Sequence, residues 1–192
     1  MRGLGKRLRA GRIEVGQSIG IQVFAAVGAL IDSIAPASIA ATDWGTVYER
    51  WVGQELEKEG WEVDYRGLTL GFLDRGLDLV AFKDGNTRYL QCKYKQSSMS
   101  KQDVQHILYK ASQFLDKELL VRGDVFELVI PSIEKVFPTK SKKNKQALPN
   151  QARRIFMGAN KSQSRIQVSI TEIPMPLGPL YDRPEPDLPP IA

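Results

Sequence analysis

The chain has 192 residues and a net charge of +5. Its length and its 42% share of hydrophobic residues are enough for one folded domain with extensions. A single cysteine excludes an internal disulfide and is typical of a reducing, cytoplasmic compartment. With one histidine beside that cysteine, a zinc site or a hydrolase built on a Ser-His or Cys-His pair is disfavoured.

Residues 1–41 are predicted to be an extension that precedes the domain. Its start, Met1 to Arg12, holds five basic residues and no acidic one. Within residues 13–34, apolar side chains recur at helical spacing: Ile19, Val23, Val27, Leu30 and Ile34. This favours an amphipathic helix lying on the domain, a partner or a membrane surface. A signal or membrane anchor is the alternative, although three polar side chains interrupt the stretch.

A helix is predicted from Asp43 to Gly60, where the glycine ends it. Glu49 lies within about sixty degrees of a stripe of small and apolar residues on the helical wheel. The stripe consists of Gly45, Val52, Gly53 and Leu56. A glutamate in that position is either a ligand or a half-exposed residue on the helix shoulder, and the glycines would let another backbone approach closely.

Strands are predicted over residues 61–66, 76–83 and 88–95, with a hairpin turn at Asp84-Gly85-Asn86. The second and third strands carry polar side chains within apolar runs. Because such groups cost free energy when they are desolvated without partners, they indicate a site and not only a core.

The polar side chains in these strands are Asp78, Gln91 and Lys93. The strand period of two places Gln91 and Lys93 on one face, and the hairpin brings them opposite Asp78. Carboxylate and amide oxygens suit a hard cation such as Mg²⁺. The alternative is a buried salt bridge between Asp78 and Lys93. Cys92 lies on the opposite face and is predicted to be a core thiol.

The remaining elements are a helix over residues 101–116 and strands over 125–130 and 166–173. The helix carries an apolar stripe that should pack on the sheet, and His106 lies off that stripe, so we expect it at the surface. Residues 174–192 hold seven prolines and are predicted to form an extended, largely unpacked tail.

Residues 135–171 contain nine basic side chains and no acidic one. A localised basic segment is typical of contact with a phosphate backbone, whereas a solvated loop is the alternative. The residues expected to bind nucleic acid here are Lys140, Lys142, Lys143, Lys145, Arg153, Arg154 and Arg165, with Lys95 added from the third strand.

Four segments together resemble a known family. They are the helix with its internal Glu49, Gly60-Trp61-Glu62-Val63, Gly76-Leu77-Asp78-Leu79-Val80-Ala81, and Leu90-Gln91-Cys92-Lys93-Tyr94-Lys95. This pattern resembles the PD-(D/E)xK nuclease superfamily, and within it Mrr-type restriction endonucleases and archaeal Holliday-junction resolvases. The resemblance covers residues 43–131, about half of the chain. It implies an α/β, restriction-endonuclease-like core over residues 42–173, with a mixed central sheet flanked by helices in the order α-β-β-β-α-β.

The resemblance also implies roles for the site residues. Asp78 matches the metal-binding aspartate, Lys93 the catalytic lysine and Glu49 the acid on the helix. Gln91 stands where most members have Glu or Asp, a form that Mrr-type enzymes often show. The implied ligands of Mg²⁺ or Mn²⁺ are Asp78, Gln91, the backbone carbonyl of Cys92, and Glu49 directly or through water.

The function implied by the resemblance is a magnesium-dependent endodeoxyribonuclease of the restriction, repair or junction-resolution type. DNA is the expected partner, and a homodimer is one candidate assembly. Because Gln91 removes a negative charge from the site, a catalytically weak or inactive DNA-binding module of the same fold is an alternative. A third interpretation is a protein anchored to a membrane through residues 13–34.

Overall fold

The computed structural model describes residues 3–70, 76–95, 97–139, 150–161 and 166–178, apart from the side chains of Leu70 and Lys161. Its helices are α1 (Leu4–Leu8), α2 (Trp44–Lys58), α3 (Arg66–Leu70), α4 (Lys101–Leu115), α5 (Ile133–Val136) and α6 (Gln151–Gly158). Its strands are β1 (Arg12–Gly16), β2 (Gly20–Phe24), β3 (Leu30–Ile34), β4 (Glu62–Asp64), β5 (Leu79–Lys83), β6 (Asn86–Cys92), β7 (Val125–Ile130) and β8 (Gln167–Glu172).

The larger sheet has five strands in the order β4-β5-β6-β7-β8. The first three are antiparallel, and β6, β7 and β8 are parallel, so the sheet is mixed. Leu79, Leu90 and Val129 point to a core shared with α2, whereas Val80 and Leu128 point to a second core covered by α4 and α6. The protein is therefore an α/β protein whose mixed sheet is flanked by helices, as the sequence predicts.

The elements predicted for the core all exist, and the differences lie at their ends. The strand predicted over residues 61–66 stops at Asp64, because the chain turns into the short helix α3 at Arg66. Regular pairing of β5 begins only at Leu79, one residue after Asp78. The helix predicted over residues 101–116 ends at Leu115, and its first turn is closed by reciprocal hydrogen bonds between Ser100 and Asp103.

The amphipathic helix predicted within residues 13–34 is wrong, because this segment forms the antiparallel sheet β1-β2-β3. Of the residues that suggested helical spacing, Ile19, Val27 and Leu30 are exposed. The buried residues instead alternate along the strands, as Ile13, Ile21 and Val23 do. Among the described residues, no helix is long and apolar enough to cross a membrane.

The N-terminal sheet packs on α2 and shares its core, so residues 3–34 are part of the folded domain. Gln54 of α2 accepts a hydrogen bond from the Ile13 N–H and donates one to the Ile13 carbonyl, both at 2.6 Å. Arg50 of α2 donates to the carbonyls of Leu8 and Gly11 at 3.2 and 3.0 Å. Side chains of α2 therefore satisfy backbone groups of Ile13 in β1 and of the segment that leads into this strand.

The prediction of an unpacked tail is wrong for its first residues. Met175 and Leu177 are buried, and the Pro174 carbonyl accepts a hydrogen bond from Trp51 at 3.0 Å. Apolar side chains between the prolines reach the α2 core, so packing continues to Gly178. Residues 179–192 lie outside the described residues.

Candidate active site

The site lies where β5 and β6 begin to separate. Asp84 and Gly85 form their two-residue turn with φ of 50° and 76°, the left-handed conformation that tight hairpin turns require. This turn sets Leu79 opposite Leu90, so Asp78 lies opposite Gln91. The Asp78 N–H still donates to the Leu90 carbonyl at 2.9 Å. Register alone therefore brings two of the predicted site residues together.

The Asp78 carboxylate is buried and is held by donors from β6. Its Oδ2 accepts a hydrogen bond from the Cys92 N–H at 2.7 Å and another from Nε2 of Gln91. Asp78 and Gln91 are 5% and 3% exposed, so both side chains are desolvated in the folded protein. The two N–H donors compensate the carboxylate for the water it loses on burial and fix its position at the end of the sheet.

Glu49 approaches Asp78 from α2 across Gly67 of α3. The Gly67 N–H donates to the Asp78 carbonyl at 2.8 Å. A β-carbon added to Gly67 would lie 2.6 Å from Oε2 of Glu49 and 3.4 Å from Cα of Asp78. A side chain at this position would therefore collide with the glutamate carboxylate. The Glu49 carboxylate and the Asp78 backbone thus lie on either side of Gly67.

Lys93 follows β6 directly and is half-buried. Its backbone N–H donates to the Val129 carbonyl at 2.9 Å, which fixes the residue just past the end of the central strand β6. Burial raises the pKa of the Cys92 thiol, the Asp78 and Glu49 carboxylates raise it further, and the Lys93 ammonium opposes them. Cys92 is therefore the core thiol that was predicted, and these three charged groups act on it together.

A surface cleft of about 430 Å³ lies between Lys93 and α4. Lys95, Asp103 and His106 also line it. Lys95 contacts Asp103 at 2.6 Å, and this contact, with the Ser100 N–H, holds the pKa of the Asp103 carboxyl down to about 2. Asp103 is thus ionised at neutral pH and offsets the charge of Lys95, which was predicted to bind nucleic acid.

The other predicted nucleic-acid contacts are only partly described. Arg153 and Arg154 lie in the first turn of α6, which Asn150 caps. Asn160, beyond the other end of α6, bonds the Val168 backbone near the start of β8. Helix α6 therefore begins with the two arginines and ends beside the start of β8. Residues Lys140, Lys142, Lys143, Lys145 and Arg165 lie outside the described residues.

Sequence reasoning missed two contributors from other elements, Gly67 and Lys110. Gly67 has no sequence signature, because its role depends on the approach of α2. Lys110 of α4 lies against Gly76: a β-carbon added there would be 2.9 Å from Cβ of Lys110 and 3.4 Å from Oε1 of Gln91. The spacing of Asp103, His106 and Lys110 on one side of α4 could have indicated a common face.

The site offers two carboxylates and an amide, a set of oxygen ligands that suits Mg²⁺ or Mn²⁺ better than a softer metal. Within the described residues, no three His, Cys, Asp or Glu side chains gather closely enough to hold a metal, and the predicted ligand set contains only two carboxylates.

No family model, curated protein or solved structure matches the chain. The geometry of these residues is therefore the basis for any functional conclusion.

Proposed function

We propose that the protein is a metal-dependent endonuclease that hydrolyses phosphodiester bonds of DNA. The observation that carries the proposal is the gathering of Glu49, Asp78, Gln91 and Lys93 at one end of a mixed sheet. The strand order, with an antiparallel hairpin bearing the site and parallel strands beyond it, supports a restriction-endonuclease-like core. Restriction, repair and junction resolution are the candidate roles.

The side chains of the site divide into metal ligands and a lysine that acts on the water and the phosphate. Asp78, Gln91, Glu49 and the Cys92 carbonyl would hold Mg²⁺ or Mn²⁺, which would supply positive charge beside the scissile phosphate. Lys93 orients the attacking water by a hydrogen bond and stabilises the charge that grows on the phosphoryl oxygens. Water adds to phosphorus and the bond to the 3′ oxygen breaks, which leaves a 5′-phosphate and a 3′-hydroxyl.

The orientation of Gln91 favours a second candidate, a DNA-binding module of weak or no activity. In the structure, Gln91 turns its Nε2 donor toward Asp78, and Oδ2 of Asp78 already accepts two hydrogen bonds. To act as a ligand, Gln91 must present Oε1 instead, which needs a rotation of its amide. If the free-energy cost of this rotation exceeds the free energy gained by binding the metal, the hydrogen bond between Gln91 and Asp78 persists and the site is structural.

The direct test of the nuclease is an assay of DNA cleavage. The full chain is incubated with plasmid, linear duplex, methylated duplex, four-way junction and single-stranded DNA, with Mg²⁺, Mn²⁺ or EDTA. The proposal expects cleavage of at least one substrate, dependent on the metal and ending in a 5′-phosphate. If every substrate remains uncut while DNA is bound, the DNA-binding module becomes the better description.

Calorimetric titration with Mg²⁺ or Mn²⁺ separates the two candidates at the site itself. We expect one ion per chain in the parent and no measurable binding in Asp78→Asn, because the substitution removes the central carboxylate. Asp116→Asn is the matched control, since Asp116 is exposed just beyond α4 and should leave binding unchanged. If the parent binds no metal up to millimolar concentration, the proposal of a metal-dependent enzyme is contradicted.

Gly67→Ala tests whether Glu49 belongs to the ligand set. The added methyl group would displace the flexible end of Glu49, so we expect metal affinity to fall about tenfold, or about 1.4 kcal/mol. Stability should be retained, since alanine is the better helix former. Gly45→Ala is the control, because a β-carbon there meets no atom within 4 Å. Unaltered affinity in Gly67→Ala would remove Glu49 from the set.

A further inference from the structure

One side of α4 places charged groups along the cleft and past the site, and the buried ring of Phe114 continues this side into the core. Asp103, His106, Lys110 and Phe114 fall within about eighty degrees of one another around the helix. Lys110 lies against Gly76, beside Gln91, and the guanidinium carbon of Arg66 lies 4.8 Å from the ring centre of Phe114. We call the side formed by His106, Lys110 and Phe114, with Arg66 above it, the α4 track.

The α4 track is positioned to hold a chain of phosphates. From His106 to Phe114, eight residues further along the chain, a helix rises about 12 Å, which matches roughly three to four nucleotides at 3.4 Å per nucleotide of one strand. Its middle, at Lys110, is level with Gln91, so a strand along the track would pass the Asp78 site halfway. The cleft of about 430 Å³ at its His106 end is within the size range of ligand pockets.

The charges of the α4 track differ from those of an ordinary solvated helix face. Lys95 is paired with Asp103, whereas no ion pair with a described carboxylate involves Lys93 or Lys110. The stem of Lys110 packs on Gly76, which limits where its ammonium can go. Nε of Arg66 is buried without a hydrogen-bond partner among the described residues. These cations border a site that carries two carboxylates, where an anionic strand needs compensating charge.

We propose that the α4 track seats one strand of the DNA across the site, with Lys110 and His106 contacting phosphates on either side of the scissile one. This inference rests on the proposed function and names the surface that its substrate occupies. Lys110 acts as a point charge and His106 as a hydrogen-bond donor, so the contacts carry no base specificity.

The test measures binding of a short labelled oligonucleotide, single-stranded and duplex, in EDTA at several salt concentrations. Lys110→Gln should weaken binding several-fold and lower the slope of log affinity against log salt by about 0.7 to 0.9, the release expected for one phosphate contact. Adding His106→Gln should weaken binding further. Lys117→Gln is the matched control, because it makes the same charge change at an exposed position past the end of α4.

The outcomes separate this inference from the proposed nuclease. Equal losses in Lys110→Gln and Lys117→Gln would show only a general charge effect and overturn the α4 track. Metal-dependent cleavage by the parent, with unchanged DNA affinity in the double variant, would overturn the track and leave the nuclease standing. Lys110-dependent binding without cleavage by the parent would support the track and count against the nuclease. Recovery of binding in Lys110→Arg would confirm that the positive charge is what matters.

Discussion

Lys93→Ala should reduce the rate of metal-dependent DNA cleavage by about a hundredfold to ten-thousandfold, the range for loss of one electrostatic or proton-transfer group. The half-buried lysine stands at the end of β6, two residues beyond Gln91. In the proposed mechanism its ammonium contacts the phosphate and the attacking water. Among the described lysines, only Lys95 also follows β6 this closely, and its charge is offset by Asp103. Single-turnover cleavage with saturating enzyme measures the effect.

The roles of Lys93 and Asp78 are distinguished by metal binding. Lys93→Ala should bind Mg²⁺ as the parent does, because the oxygen ligands remain, whereas Asp78→Asn should lose both binding and cleavage. Lys117→Ala serves as the control for a lost positive charge at a distant, exposed position. A Lys93→Ala protein that cuts DNA at the parent rate would show that the mechanism is wrong, whatever its metal affinity.

Gln54→Ala should lower the free energy of unfolding by about 3 kcal/mol, since each buried polar group left without a partner costs about 1–3 kcal/mol. Gln54 is 3% exposed, and its amide bonds both the N–H and the carbonyl of Ile13. It thereby replaces a neighbouring strand on the outer edge of β1. Urea unfolding, followed by circular dichroism, measures the loss.

The control for Gln54→Ala is Gln113→Ala, an exposed position on α4 where we expect a change within about 0.5 kcal/mol. Limited proteolysis adds a local readout: in Gln54→Ala, cleavage within residues 3–34 should accelerate before the rest of the chain is attacked. Equal unfolding free energies for the two variants would contradict the docking of the N-terminal sheet on α2.

The site pair could be predicted from sequence because one short turn determines it. The Asp84-Gly85 turn sets the register of β5 and β6, and that register places Asp78 opposite Gln91 whatever packs around them. The period of two likewise separates Cys92 from Gln91, so the buried thiol was predictable too. Helix α2 was predictable for the same reason, since its periodicity and terminal glycine are local features.

The N-terminal sheet could not be predicted, because its apolar residues satisfy two periods at once. Ile19, Val27 and Leu30 fit a helix, yet the structure exposes them and buries an alternating set instead. The surface against which the segment packs decides whether it forms a helix or a sheet. Gln54 supplies hydrogen bonds to Ile13 at the open edge of β1, and Arg50 bonds the Gly11 carbonyl just before the strand, both from a helix some forty residues later in the chain.

The sequence by itself therefore determined the features that depend on residues close together in the chain. These are the helices and strands of the core and the Asp78–Gln91 pair. Only the tertiary structure decided which distant groups join that pair. Gly67 admits Glu49 because it has no side chain, and Lys110 lies beside Gln91 because α4 packs on that face. Such contacts depend on how helices lie on a sheet, and no local period in the sequence records that arrangement.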